Sequence, residues 1–266
     1  MFNNISDRES QTFDFNGFYR GVVVENNDPK QAGRIKVNVF GVFDNIPVDN
    51  IPWAIMADPF MGGLGDNGSS FIPEIDSHVF VFFENGDHEE PVYFAGAPAI
   101  KDGEPDLPLE SREEGEYPHN KVFKTKRGSY IEFDDTEDAV RIKIHHPSGT
   151  NREIDNDGNV IETIVGDETV NFDGDRTESI EGNSTESIEG DKSESVEGDK
   201  SESIGGDFSN DTSGDINVSS GGGTTIDVGA DGTITVNGDM TIDANGNVNI
   251  TGGGVITIEG ALVNIN

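Results

Sequence analysis

GDRTESIEGNSTESIEGDKSESVEGDKSESIG, residues 174–205, is one eight-residue phrase written four times. Glycine marks its period, and the period extends both ways: Gly166, Gly174, Gly182, Gly190, Gly198, Gly206 and Gly214. Asp or Asn follows each of them, from Asp167 to Asp215. A large apolar residue stands two places before each of the first six: Ile164, Phe172, Ile180, Ile188, Val196 and Ile204. A fixed period has to be explained before any other feature, because one copy cannot bury a core by itself.

The octad reads as an extended stretch with a turn at its Gly-Asp pair. Glycine allows positive φ at a corner, and the following Asp or Asn bonds nearby backbone. One apolar side chain per octad contributes ~1.5–3 kcal/mol. Fixing the backbone costs ~1–2 kcal/mol for each of the eight residues. A solenoid of one chain is therefore too thin. Three chains wound about one axis triple the apolar content of each layer, pair one another's backbones, and leave strand edges only at the two ends. Strict alternation puts Glu178 on the side of Ile180, so this reading expects the face to change within the octad. One strand per octad over residues 166–265 gives roughly 12 layers at ~4.8 Å, a rod of roughly 60 Å.

Beyond Gly214 the repeat changes without ending. Apolar pairs spaced two apart recur as Ile216/Val218, Ile226/Val228, Ile234/Val236, Met240/Ile242, Val248/Ile250, Ile256/Ile258 and Val263/Ile265. Asp231-Gly232, Asn237-Gly238 and Asn245-Gly246 mark turns between them.

The other end of the chain is of a different kind. Residues 17–100 hold Trp53 and most of the Phe and Tyr. Five short β-type runs lie there: Phe18 to Glu25, Arg34 to Phe40, Trp53 to Ala57, Val79 to Glu84, and Val92 to Gly96. Turn clusters at Asn26–Pro29, Gly62–Gly65 and Asn85–Asp87 separate them. Five strands in about 80 residues fit a small closed barrel such as an OB-fold, with a small sandwich as the alternative. Residues 101–120 are acidic and Pro-rich and read as a linker, too short for a catalytic domain of ~50–100 residues. Ser129–Phe133 and Val140–His145 then read as strand, turn, strand, with a further unit through Asn156–Asn159. The expected organisation is an arm (1–16), an OB-fold (17–100), the linker (101–120), a strand adaptor (121–165) and an octad needle (166–266). The expected fold class is all-β: an N-terminal OB-fold barrel followed by an intertwined, trimeric triple-stranded β-helix.

Composition removes several function classes. There are no cysteines, hence no disulfides and no thiolate metal sites. The net charge of -35 argues against binding nucleic acid through its phosphates and against attraction to anionic membranes. No signal peptide and no run of 18 apolar residues is present. Glu25, Asp28 and other acids are expected to be structural, since 52 acids make chance neighbours common. His145-His146 point to opposite faces of a strand and should not share an ion. The Asp-rich turns lack the spacing of a Ca²⁺ loop. Gly62–Gly68 lacks the Lys-Ser/Thr and helix of a phosphate loop and reads as a barrel loop suited to recognition. Lys192 and Lys200 should form exposed pairs with octad glutamates. The basic stretch Lys121–Arg127 reads equally as a solvated strand edge and as a contact for acidic neighbours. No catalytic residue, metal ligand or cofactor is expected, and the chain is not expected to be an enzyme.

These residues carry a family likeness. Gly21-Val22-Val23, Asp28-Pro29, Gly33-Arg34-Ile35-Lys36-Val37, Pro52-Trp53-Ala54, Pro73, Val79 to Asp87 and Pro91-Val92-Tyr93 resemble the OB-fold domain of the central spikes of contractile phage tails and of the VgrG spikes of type VI secretion. Thr125 to Thr136 and Ile142 to His146, followed by octads, continue the likeness in order. It covers about residues 17–215. The resemblance implies a homotrimer in the tail baseplate of a virion. It implies OB domains docked on a trimeric hub protein, and a β-helix needle that pierces the outer membrane on contraction. The phage T4 spike carries a lysozyme domain between barrel and helix; this chain has no room for one, so peptidoglycan hydrolysis does not carry over. Some spikes end in a His-x-His iron tip. Gly260 to Asn266 has no His, so a separate PAAR-like tip protein is the expectation instead. The alternatives are a VgrG-like spike of a secretion system or related injection particle, and a spike with cryptic envelope-degrading activity. VgrG chains normally fuse a hub to the spike and none of that size precedes Phe18, which favours the phage reading.

Overall fold

The computed structural model describes residues 15–60, 62–63, 65 and 67–264. Residues 1–14 of the expected arm lie outside them, as do Met61, Leu64, Asp66, Ile265 and Asn266. The chain divides into two units, 1–179 and 180–266, and each is described by itself.

The first unit opens with β1 (Tyr19–Glu25), β2 (Ile35–Val39), β3 (Trp53–Met56), β4 (His78–Phe83) and β5 (Pro91–Gly96). They close into a barrel in the order β1-β2-β3-β5-β4, with β3 and β5 parallel and the other pairs antiparallel. All five expected runs form strands, and closure excludes the sandwich. Period-two alternation explains the core. In β4, Val79, Val81 and Phe83 are buried while His78, Phe80 and Phe82 are half-buried on the outside. Val23, Ile35, Val37, Val39 and Tyr93 join them inside. Gly21 is needed at the β1–β2 crossing, where a Cβ would meet Val37 Cγ1 at 2.5 Å and Asn38 O at 2.7 Å. Phe15 packs on Tyr19 and Phe83, so residues ahead of Phe18 already belong to the barrel.

The β1–β2 loop is tied by Asp28. Its carboxylate accepts from the backbone of Lys30 and Ala32, both at 2.9 Å, and from Arg34 Nε at 3.0 Å and Nη2 at 2.5 Å. The Arg34 guanidinium holds the Asp28 carboxyl well below the usual carboxylate range, against the opposing effect of burial. Arg34 also lies over the Trp53 ring, and Tyr93 Oη donates to Gly33 O at 2.6 Å. Lys36, on the same strand, is buried because its Nζ donates to Val48 O at 2.7 Å and Asp49 O at 3.1 Å.

Residues 101–120, expected as a linker, are folded. They contain most of the hairpin of β6 (Ile100–Lys101) and β7 (Glu104–Pro105) and a 3-10 turn at Leu109–Arg112. Then comes an antiparallel meander: β8 (Asn120–Lys124), β9 (Tyr130–Asp134), β10 (Arg141–His145), β11 (Asn151–Ile154) and β12 (Val160–Thr163). After Thr163 the described residues contain no strand, and every described residue beyond Asp155 is exposed.

Candidate trimerisation interface

The β8–β12 sheet has two unlike faces. The covered face is charged. Arg141 Nη2 lies 2.7 Å from Glu132, 3.2 Å from Glu116 and 3.5 Å from Asp134. Asn120 Nδ2 donates to Glu132 at 2.6 Å and to Glu116 at 3.2 Å. Thr136 caps the other oxygen of Asp134 through its N–H and its hydroxyl. Burial works against the Arg141 cation, yet the three carboxylates raise its pKa above the ordinary value. Glu116 and the carbonyl of Glu110, both from the folded connection, cover this side. Carboxylate oxygens of Glu116, Glu132 and Asp134 lie within 4.8 Å of one another, a spacing that suits a cation. The guanidinium of Arg141 fills that role.

The opposite face is largely apolar and uncovered, with Lys121, Arg152 and Glu162 as its charged members. Cross-strand register lines up Phe123, Ile131 and Ile144, and beside them Phe133, Ile142, Ile154 and Val160. All seven are exposed, from 38% at Ile154 to 62% at Phe123. A sheet in water shows its polar face and hides its apolar one. Here the order is reversed, and a contiguous apolar patch of this kind marks a contact surface.

The octads show the same deficit along the chain. Ile164, Phe172, Ile180, Ile188, Val196 and Ile204 keep between 37% and 56% of their surface exposed. No described residue after Thr163 makes a backbone–backbone hydrogen bond within the chain. Extended backbone pairs with something, and water alone leaves it no fold. The chain bends at 165–166, 173–174, 181–182, 189–190, 197–198, 205–206 and 213–214, at each periodic glycine. The reason expected for those glycines needs correcting: none of Gly166, Gly174, Gly182, Gly190, Gly198, Gly206 and Gly214 adopts positive φ. A Cβ at any of them would meet nothing within 4 Å of this chain. Neither backbone conformation nor crowding within one chain explains seven glycines in register. The six residues between bends run without a further bend.

The remaining candidates fall out as structural. His145 stacks on Tyr130 at 4.7 Å, whereas His146 Nδ1 faces Ser148 Oγ at 2.8 Å, so the two rings do not converge. Glu25 accepts from the backbone of Asn27 at 2.8 Å. Lys121 pairs with Asp135, Lys124 with Glu110 and Lys126 with Glu74, so the three lysines of the basic stretch are paired within their own chain. Lys192 pairs with Glu186 and Lys200 with Glu194. Gly62, Gly63 and Gly65 lie in a loop; Leu64 and Asp66 of that motif are outside the described residues. Sequence reasoning missed the Glu116–Glu132–Asp134–Arg141 group. Its one signal was the shared parity of Glu132 and Asp134 in β9.

Comparison with known proteins agrees with this geometry. Residues 19–97 match the type VI secretion system/phage-baseplate injector OB domain. Residues 126–236 match the bacteriophage T4 gp5 C-terminal trimerisation domain. The chain is also similar to Protein Gp5 of Vibrio phage KVP40, 42% identical over 53 residues, which is 20% of this chain and 13% of that protein. The chain thus carries, in order, an injector OB domain and a gp5-type trimerisation domain, the parts of a gp5/VgrG-like baseplate spike.

Proposed function

We propose that three copies of this chain form the central spike of a contractile tail and act mechanically. The observation that carries this reading is the stretch 164–264, whose described residues form no strand and no backbone–backbone hydrogen bond and leave their large apolar side chains exposed. The periodic glycines form the corners where backbones of neighbouring copies approach. Ile164, Phe172, Ile180, Ile188, Val196 and Ile204 form the buried repeat core. The uncovered face of β8–β12 packs against its counterparts in the other two copies. The OB barrels dock on a trimeric hub protein. An exposed aromatic group on the barrel suits that contact: Phe18 is 73% exposed and stands 5.1 Å from Phe94, with Phe80 and Phe82 beside it. Force from tail contraction passes through the hub to the needle, which perforates the outer membrane. A PAAR-like protein caps the far end.

The injector OB family spans type VI secretion as well as phage baseplates, and this supports a VgrG-like spike as the second reading. Both readings are non-enzymatic. Purified protein should leave peptidoglycan undigested, and should bind its trimeric hub at three chains to three. Turnover of peptidoglycan that a single Asp or Glu substitution abolishes would replace the mechanical reading with an enzymatic one.

A further inference from the structure

The bends do not stop where the periodic glycines end. They continue at 221–222, 229–230, 237–238, 245–246 and 253–254, and recur at 261. The step stays at eight residues even where Ala230 stands at the bend. Counted from the bend residue as zero, positions +2, +4 and +6 share one side of each straight stretch. Ion pairs agree with that count. Arg176 at +2 meets Glu178 at +4, 2.9 Å away, and Lys200 at +2 meets Glu194 at +4 of the preceding octad, 2.8 Å away.

What this side carries changes along the chain. In the octads starting at 174, 182, 190 and 198, position +4 is Glu178, Glu186, Glu194 and Glu202, and the aliphatic residue is at +6. From residue 214 onward, +4 becomes Val218, Ile226, Ile234, Ile242, Ile250 and Ile258, and +2 is apolar in most octads, as at Ile216, Met240, Val248 and Ile256. From Phe208 to Asn264 no charged residue stands at +2, +4 or +6. All eight acids from Asp207 onward, ending with Glu259, fall at +1 or +5, on the opposite side. A chain that keeps its corner spacing while moving its charges to one side is built to bury the other.

We infer that copies of this chain meet through two different interfaces on one continuous side: an ion-paired one over residues 174–204, and a dry, charge-free one over residues 208–264 that runs past the end of the gp5-type match at residue 236. The occupant is a second and third copy, because the matched trimerisation domain covers residues 126–236 and the dry side begins within it. The inference rests on the homotrimer reading. It assigns most of the cohesion of the later octads to paired apolar residues, twice the number per octad found earlier. In the earlier octads charges at +2 and +4 pair with one another beside a single aliphatic row.

The chain has no cysteine, so single cysteines report cleanly. Ile250→Cys (+4) and Val248→Cys (+2) are compared with Asn249→Cys (+3) and Thr251→Cys (+5) for the rate of maleimide labelling in the native full-length protein. Ile188→Cys and Ser187→Cys serve as the earlier pair. Labelling at +2 and +4 is expected to be slower than at +3 and +5 by roughly an order of magnitude or more. Raising salt to about 1 M should speed labelling at Ile188→Cys and leave Ile250→Cys unchanged. Equal labelling at 248 to 251 with Ile188→Cys still protected overturns the dry interface and leaves the trimer standing. Equal labelling everywhere, with a monomeric mass, overturns both. A salt response at Ile250→Cys equal to that at Ile188→Cys overturns the division into two kinds.

Discussion

Ile142 tests the uncovered sheet most sharply. It sits on β10 between Phe133 and Ile154 in the cross-strand register, and in the single chain it is 42% exposed. Ile142→Ala in a chain that stays alone forfeits only part of a side-chain burial, about 1 kcal/mol. In a trimer that covers this face, the same change empties a packed site and costs about 2–5 kcal/mol per chain. Three copies lose it together, roughly 6–15 kcal/mol per trimer. The assay is guanidinium unfolding at equilibrium over a range of protein concentrations. An associating protein unfolds at higher denaturant as concentration rises, and the variant's curve should shift down by the larger amount. A concentration-independent transition, with a change of about 1 kcal/mol or less, would refute the reasoning that this face is covered by other copies.

The parent should run as a detergent-resistant trimer on gels and Gly190→Val should not, because its Cβ would meet no atom of its own chain within 4 Å and would press only on a neighbouring copy; a variant as resistant as the parent removes close backbone approach as the reason for the periodic glycines. Arg141→Met leaves Glu132 and Asp134 buried without their cation and should cost ~3–5 kcal/mol in chemical denaturation, with little effect if the network is slack. The pH dependence of the barrel follows from Asp28. Its folded pKa lies below the usual value of about 3.9, so the unfolded chain takes up the proton first. The stabilisation is complete above that value and is lost as pH falls towards the folded pKa. Stability measured from about pH 4 downward should therefore fall more steeply in the parent than in Asp28→Asn; parallel curves would show that the Asp28–Arg34 pair contributes nothing. Phe18→Ser should weaken hub binding without changing barrel stability, as surface substitutions usually stay within ~0.5 kcal/mol; unchanged binding would move the docking surface elsewhere.

The barrel could be read from the chain because its strands alternate cleanly: Val79, Val81 and Phe83 point in, while Phe80 and Phe82 point out. The octads could be read because their period is strict. What escaped was set by contacts distant in sequence. Glu132 and Arg141 look like solvent-side charges on amphipathic strands, and only the fold of residues 104–119 over them makes theirs the covered face. The same connection looked like a linker because its Pro and Glu content hides a compact path. Strand β8 was legible only as one of two readings because Lys121 and Lys124 bracket Phe123, and the pairing of those lysines with Asp135 and Glu110 is invisible in sequence. Bends fall at the periodic glycines, but positive φ is not the reason for them. A lone octad suggests positive φ, whereas none of the seven periodic glycines adopts it.

The central claim is that this chain completes its fold only with two copies of itself. Sedimentation equilibrium of the purified full-length protein tests it most directly. The account predicts one species at three times the 28.6 kDa chain mass, persisting on dilution. A folded species at the mass of a single chain, with the octads resistant to protease, would contradict it.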